Sequence, residues 1–242
     1  MVNGAPATNP ARLVSAHEAV SCLPPPDRYV GRGGHKLAAA LQQFRLDVRG
    51  RRVIDVGSST GGFTDCALQA GAVEVVAVDV GRGQLHQRLR DDPRVDVRER
   101  LDVRAASPDL LGGAAEVVVA DLSFISLTSV LPALLDLARP AADLVVLVKP
   151  QFEASRRHVD DGGGVITDPA VWRAALERVL SASEACGAAI MGLMNSPLRG
   201  ADGNVEFLLH LRKPSLEPAS EPEHGASPIA LASVLAAVEE RS

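Results

Sequence analysis

Lys36, Asp121, Lys149 and Glu206 are the side chains of this sequence best suited to handling a proton. Each stands at the edge of an apolar run. Lys149 follows Leu144-Val145-Val146-Leu147-Val148, and a lysine there is out of place unless its ammonium reaches a pocket. Asp121 closes Val117-Val118-Val119-Ala120, and Glu206 enters the apolar segment that runs from Val205 to Leu211. Lys36 precedes Leu37, Ala40, Leu41 and Phe44, whose spacing is that of one helix face. Two lysines and two carboxylates suit group transfer to a weakly acidic hydroxyl. Such a hydroxyl must be held in line with the donor, and its proton taken or its developing charge stabilised. A lysine takes a proton when burial or a neighbouring cation favours its neutral form. Read singly, Lys36 is equally a solvated or structural cation, whereas Lys149, beside a buried strand, favours a functional role.

A second set surrounds the loop Asp55-Val56-Gly57-Ser58-Ser59-Thr60-Gly61-Gly62-Phe63-Thr64. Gly57, Gly61 and Gly62 permit a tight turn and close approach to a ligand. A dinucleotide site would use Gly-x-Gly-x-x-Gly with N–H groups aimed at a pyrophosphate. Here Asp55 precedes the first glycine and would repel an anion. Asp79, with Val80 beside it, ends the next apolar run and is placed to accept from a ribose diol. Asp102 follows a third run and is placed to meet an adenine amino group. Four carboxylates at successive strand ends, Asp55, Asp79, Asp102 and Asp121, suit a cationic nucleoside. S-adenosylmethionine (SAM), which carries an ammonium and a sulfonium, is such a ligand. The expected cofactor contacts are therefore Asp55, Gly57, Ser58, Ser59, Gly61, Gly62, Phe63, Thr64, Asp79, Val80, Asp102 and Asp121. Any one aspartate alone also reads as a helix cap or a turn residue. His35, His86 and His158 lack metal-ligand spacing, and no metal is expected.

The elements that would position these residues alternate. Apolar strands are expected over 53–56, 75–79, 95–98, 117–121 and 144–148. Helices are expected within 27–44, starting after Gly33 and Gly34, and over 61–70, 84–90, 127–138 and 171–186. Nearly all-apolar strands separated by helices imply a parallel sheet covered on both faces. Strands over 188–194 and 205–211, joined only by a loop, imply an antiparallel hairpin at the sheet edge. The fold class is thus α/β and Rossmann-like, with a mostly parallel seven-stranded sheet and an antiparallel last strand. Combined with the SAM reading of the glycine loop, the expectation is a class I SAM-dependent methyltransferase domain. Residues 1–26 read as a small β piece and a linker ending in Pro24-Pro25-Pro26. Residues 27–213 form the domain. Residues 214–242 read as a flexible tail with a short helix over 229–240.

Composition narrows the function classes. The 242 residues are 46% hydrophobic and 3% aromatic, so a sizeable core is built from Val, Leu and Ala. The formal charge of −5 argues against a module that only binds nucleic acid, though a local basic groove can sit on an acidic protein. Three scattered cysteines, Cys22, Cys66 and Cys186, indicate a reducing compartment, and Cys66 reads as core packing. The sequence shows no signal pattern and no spanning run, which points to the cytoplasm and away from a membrane.

Several motifs in order carry a family resemblance over about residues 29–212. They are Gly31-Arg32-Gly33-Gly34-His35-Lys36-Leu37, the Ser58-Ser59-Thr60-Gly61-Gly62-Phe63-Thr64 loop, Asp121-Leu122-Ser123-Phe124-Ile125-Ser126, Val148-Lys149-Pro150-Gln151-Phe152-Glu153, and Gly203-Asn204-Val205-Glu206-Phe207. Together they resemble the TlyA family, within the FtsJ-like (RrmJ-type) RNA 2′-O-methyltransferases. The resemblance implies SAM as cofactor, ribosomal RNA or ribosomal subunits as partner, and a cytidine ribose as acceptor. It also implies a Lys-Asp-Lys-Glu tetrad at Lys36, Asp121, Lys149 and Glu206. Lys149 would then act on the hydroxyl, Lys36 and Glu206 would orient it, and Asp121 would stand between the donor methyl and the lysines. Family members begin with a small RNA-binding module of two basic helices and a hairpin. Residues 1–22 resemble only its final hairpin, which implies a truncated module. Arg28, Arg32, Arg156 and Arg157 would line the remaining RNA path. Two other readings stand beside this one. Missing basic helices and net acidity suit a small-molecule O-methyltransferase, and TlyA-like proteins have also been labelled haemolysins. Subunit state is open between monomer and homodimer.

Overall fold

The first sheet strand, β1 (Arg52–Val56), is buried along its whole length. It is flanked by β2 (Glu74–Asp79) and β4 (Ala115–Ala120), and β3 (Val95–Glu99) lies beyond β2. On the other side come β5 (Ala138–Val148), β7 (Phe207–Arg212) and β6 (Ala189–Asn195), giving the order β3-β2-β1-β4-β5-β7-β6. β1 to β5 pair in parallel, and β7 runs antiparallel to both β5 and β6. The computed structural model describes residues 2, 3, 5, 7, 13–20, 27–154 and 165–215.

Helices cover both faces, as all-apolar strands require. On one face α1 (Gly33–Gln43) and α2 (Gly62–Gln69) bring Leu37, Ala40, Phe63, Cys66 and Ala67 against Val53, Val75, Val119, Val145 and Leu147. On the other, α4 (Leu131–Asp136) and α6 (Pro169–Ala185) set Leu131, Leu134, Trp172, Leu176 and Val179 against Ile54, Val118, Leu144, Val146 and Leu209. Each fully buried Val, Leu, Ile or Phe among them contributes roughly 1.5–3 kcal/mol. Two short helices, α3 (Gln87–Arg90) and α5 (Pro150–Glu153), follow β2 and β5.

The expected fold class holds, with corrections. The antiparallel pair is the expected edge hairpin, with β7 lying between β5 and β6 and β6 at the edge. Strand β5 begins at Ala138, because an irregular register between Ala115 and Val117 carries the pairing back to Ala138. The helix before it therefore ends at Asp136. The helix expected from residue 84 starts at Gln87, since His86 caps it by accepting from Arg88 N–H at 3.1 Å. Glu206 precedes β7 rather than lying within it. Near the amino terminus, Val2 bridges to Ala5 and Val20. Pro24-Pro25-Pro26 and the expected terminal helix lie outside the described residues.

The register sets up the site. Val56 pairs with Ala120, Ala120 with Val146, and Val148 with Phe207. The residues just past these pairs include Asp121, Lys149 and Glu206. Because β7 runs backwards, its start lies at the carboxyl edge where β4 and β5 end. That edge is where open parallel sheets bind ligands.

Candidate active site

Two adjoining cavities open at this edge, of about 570 and 400 Å³. Gly57, Ser59, Asp121, Ser123 and Phe124 line both, so they form the junction. The smaller cavity has Val80, Leu101, Val103, Leu122 and Ile125 on its walls and Asp79 and Asp102 at its rim. The larger one holds Lys36, Lys149, Asp121 and Glu206 together with Arg32.

The four expected proton-handling residues meet as two ion pairs. Lys36 Nζ lies 2.5 Å from Glu206 Oε2, across 170 residues of chain, with both side chains almost fully buried. Lys149 Nζ lies 2.7 Å from Asp121 Oδ1 and donates to Ser123 Oγ at 2.8 Å. Lys149 also stands 5.8 Å from the Phe152 ring centre. An ammonium has three N–H donors. Two of those on Lys149 are taken by Asp121 and Ser123, which leaves one for a ligand in the cavity.

The glycine loop shapes the junction. Gly57 has φ +81°, and a Cβ there would meet the Asp121 carbonyl at 2.5 Å, so no other residue fits. The loop thus passes hard against the end of β4 and leaves space on its outer side. Ser58, Ser59, Gly62 and Phe63 line the larger cavity. Asp55 and Thr64 were expected there too, but the structure turns them behind the loop. Successive helical residues point about 100° apart, so Phe63 faces the cavity while Thr64 faces β1. Both Asp55 and Thr64 are fully buried, and Thr64 Oγ1 donates to Asp55 Oδ2 at 2.6 Å. Gly61, left-handed at φ +98°, caps α2 against Leu85 and Leu89 and lines no cavity among those described.

Burial, with Asp121 nearby, pushes the Asp55 carboxyl up to about 7 from 3.8, against the Thr64 hydrogen bond. The folded chain therefore keeps a proton that the unfolded chain releases, and stability from this group falls as pH rises from about 4 to 7. Asp55→Asn needs no proton and can still accept from Thr64. Calorimetry should show its Tm level with wild type near pH 4 and above wild type at pH 8. Equal Tm values at both pH values would contradict this account of Asp55.

Asp79 accepts from Ser59 N–H at 2.7 Å and Gly81 N–H at 2.6 Å, which fixes it at the slot with lone pairs to spare. Asp102 caps a short 3₁₀ turn and is held by the Arg104 guanidinium at 2.5 Å, which keeps its carboxyl down at about 2. It remains at the slot, but Arg104 competes for its oxygens.

A family model described as FtsJ-like methyltransferase matches residues 29–213. The chain belongs to this family. Within it the TlyA proteins are similar. The 16S/23S rRNA (cytidine-2′-O)-methyltransferase TlyA of Mycobacterium tuberculosis is 48% identical over 212 residues, 87% of this chain and 79% of that one. Bacillus subtilis YqxC, described as an rRNA methyltransferase, is 52% identical over 190 residues, 78% of this chain and 67% of that one. A Lactococcus lactis crystal structure described as a hemolysin superposes with a TM-score of 0.79 at 42% identity, covering 88% of this chain and 99% of that one.

As an FtsJ-like methyltransferase the protein is an enzyme that takes its methyl group from SAM. The cavities fit that cofactor. The apolar slot with carboxylates at its rim suits an adenosine, and the carboxylates at and near the junction suit a cation. Val80 and Phe124 stand exposed at the slot, at 70% and 92%, as surfaces an aromatic base would cover. Among the described residues, no group of His, Cys, Asp or Glu converges to hold a metal ion, and no helix is long and apolar enough to cross a membrane.

Several site residues carried no signal of their own in the sequence. Ser123, Phe124 and Phe152 sat inside recognised segments, but nothing in their spacing marked a role. The Phe124 and Phe152 rings lie 5.3 Å apart at the larger cavity. Asn204 Oδ1 accepts from Ile166 N–H at 2.9 Å and so holds the loop ahead of Glu206. Of the expected RNA-path arginines, Arg32 lines the cavity and Arg28 lies 5.2 Å from the Tyr29 ring centre. Arg156 and Arg157 lie outside the described residues.

Proposed function

We propose that this protein transfers the methyl group of SAM to the 2′-hydroxyl of a cytidine ribose in ribosomal RNA, with residues 27–213 as the catalytic unit. The observation that carries this reading is the Lys149 ammonium, held by Asp121 and Ser123 beside the junction of the two cavities. The naming of the M. tuberculosis relative for the same acceptor supports it. SAM supplies an electrophilic methyl group on a sulfonium when bound.

Asp79 and the apolar slot would hold the adenosine, while Ser58, Ser59 and Asp121 line the route to the junction. The ribose enters the larger cavity, where Phe124 and Phe152 offer aromatic faces to its base. Lys149 gives its remaining N–H to the 2′-oxygen and stabilises the negative charge left there as the hydroxyl proton departs. The fixed Lys36–Glu206 pair lines the same cavity and orients the hydroxyl. Asp121, Asp202 and Glu206 are the carboxylates that line that cavity and can take the departing proton. Arg32 lies free among the described residues and meets a phosphate of the same strand. A ribosomal substrate places the protein in the cytoplasm.

The test is a transfer assay with purified protein, tritiated-methyl SAM, ribosomal subunits, free rRNA and an RNA-stripped extract. Label should enter rRNA and block alkaline cleavage at one nucleotide. Label confined to the stripped extract would contradict the reading and point to a small molecule or a protein.

A further inference from the structure

One buried carboxylate has no part in the chemistry above. Glu153 ends α5, is 3% exposed and lines neither of the two cavities. Both its oxygens are spent on the neighbouring loop. Oε2 accepts from Ser126 Oγ at 2.6 Å, and Oε1 accepts from Leu127 N–H at 2.6 Å. Ser126 Oγ also meets Thr128 Oγ1 at 2.7 Å, and Arg178 of α6 donates to the Glu153 carbonyl at 2.7 Å. Burial holds the Glu153 carboxyl above its ordinary value, against the lowering effect of Ser126 and Leu127.

What matters is which residues this connection joins. α5 starts immediately after Lys149, and segment 121–127 starts with Asp121 and carries Ser123. The β4–β5 ladder holds the roots of both, its last pair being Ala120 with Val146. Past the ladder, and apart from the bonds of Lys149 itself, the Phe124–Phe152 contact and the Glu153 bonds cross between them. Phe124 is 92% exposed, so its ring restrains little. The Glu153 bonds are buried, and a low dielectric strengthens them.

We propose that Glu153 is a positioning residue that anchors segment 121–127 to α5 and thereby sets the distance from Lys149 to Asp121 and Ser123. This rests on the reading of Lys149 as the group that meets the acceptor oxygen. A displacement of about 1 Å in such a site costs on the order of a hundredfold in rate.

The test measures turnover per SAM-binding site, so that loss of folded protein does not count. In Glu153→Ala, turnover per site should fall roughly 10- to 100-fold, while the SAM dissociation constant stays within about threefold. Glu153→Gln should recover most of it, because the amide accepts from Leu127 and bonds to Ser126. Unchanged turnover per site in Glu153→Ala, or an equal loss in Glu153→Gln, overturns the proposal. If Glu153→Ala does not fold, Ser126→Ala replaces it and should lose about three- to tenfold; no loss overturns the proposal.

Crystal structures of the variants separate this claim from the substrate assignment. Lys149 Nζ beyond about 4 Å from Asp121 in Glu153→Ala supports positioning whichever acceptor is methylated, and an unmoved pair overturns it. Failure of wild type to label rRNA overturns the substrate assignment alone.

Discussion

In Lys149→Met, methyl transfer falls about a thousandfold while SAM binding stays within about threefold of wild type. The size follows from the place of Lys149. It stands in the larger cavity, tied to Asp121 at 2.7 Å and Ser123 at 2.8 Å. Removing a donor fixed in advance at the point where charge develops costs 10²–10³ in many enzymes, roughly 3–4 kcal/mol. The methionine fills the same volume, so the cavity does not collapse. The adenosine slot lies on the far side of the junction and does not include Lys149. Single-turnover rates and equilibrium SAM titration are the two measurements. A variant with full transfer activity would remove Lys149 from the mechanism, and a variant that loses SAM would make it a cofactor ligand.

Lys36→Met is expected to destabilise the fold by about 3–5 kcal/mol, because it leaves Glu206 buried without its partner. Glu206 is 3% exposed, and its Oε2 lies 2.5 Å from Lys36 Nζ. Adding Glu206→Gln removes the stranded charge, so the double variant should regain most of that stability. It should not regain activity, since the wall that orients the hydroxyl has lost both charges. Denaturant unfolding and transfer rates on wild type, both single variants and the double variant form a double-mutant cycle. Recovery of stability without recovery of rate assigns the pair to orientation. Recovery of both would make it a structural pair only.

The sheet was legible because its central strands carry short, mostly apolar runs that need burial on both faces, whereas edge-side β3 alternates Val with Asp and Arg and is half-buried. The tetrad was legible because ionisable residues at the ends of those runs have few places to go. Antiparallel β7 brings Glu206 back to the edge where Lys149 emerges, and the register of Val148 with Phe207 accomplishes it. That insertion between β5 and β6 was hidden, since two strands joined by a loop have the same sequence in either order. Rotation within α2 was hidden as well: Phe63 and Thr64 are neighbours in sequence but point about 100° apart, one reaching the cavity and the other Asp55. Glu153 and Ser123 were the least visible. Their partners lie on a neighbouring loop, and no local spacing reports a hydrogen bond across 26 or 27 residues.

Ribose methylation is distinguished from methylation of a base by the nucleosides recovered after the reaction. Ribosomal subunits treated with the enzyme and SAM would be digested to nucleosides and resolved by mass spectrometry. 2′-O-Methylcytidine is the expected product, with the added methyl on the sugar fragment and absent in Lys149→Met. A methyl group on the base fragment, or none above the untreated control, would contradict it.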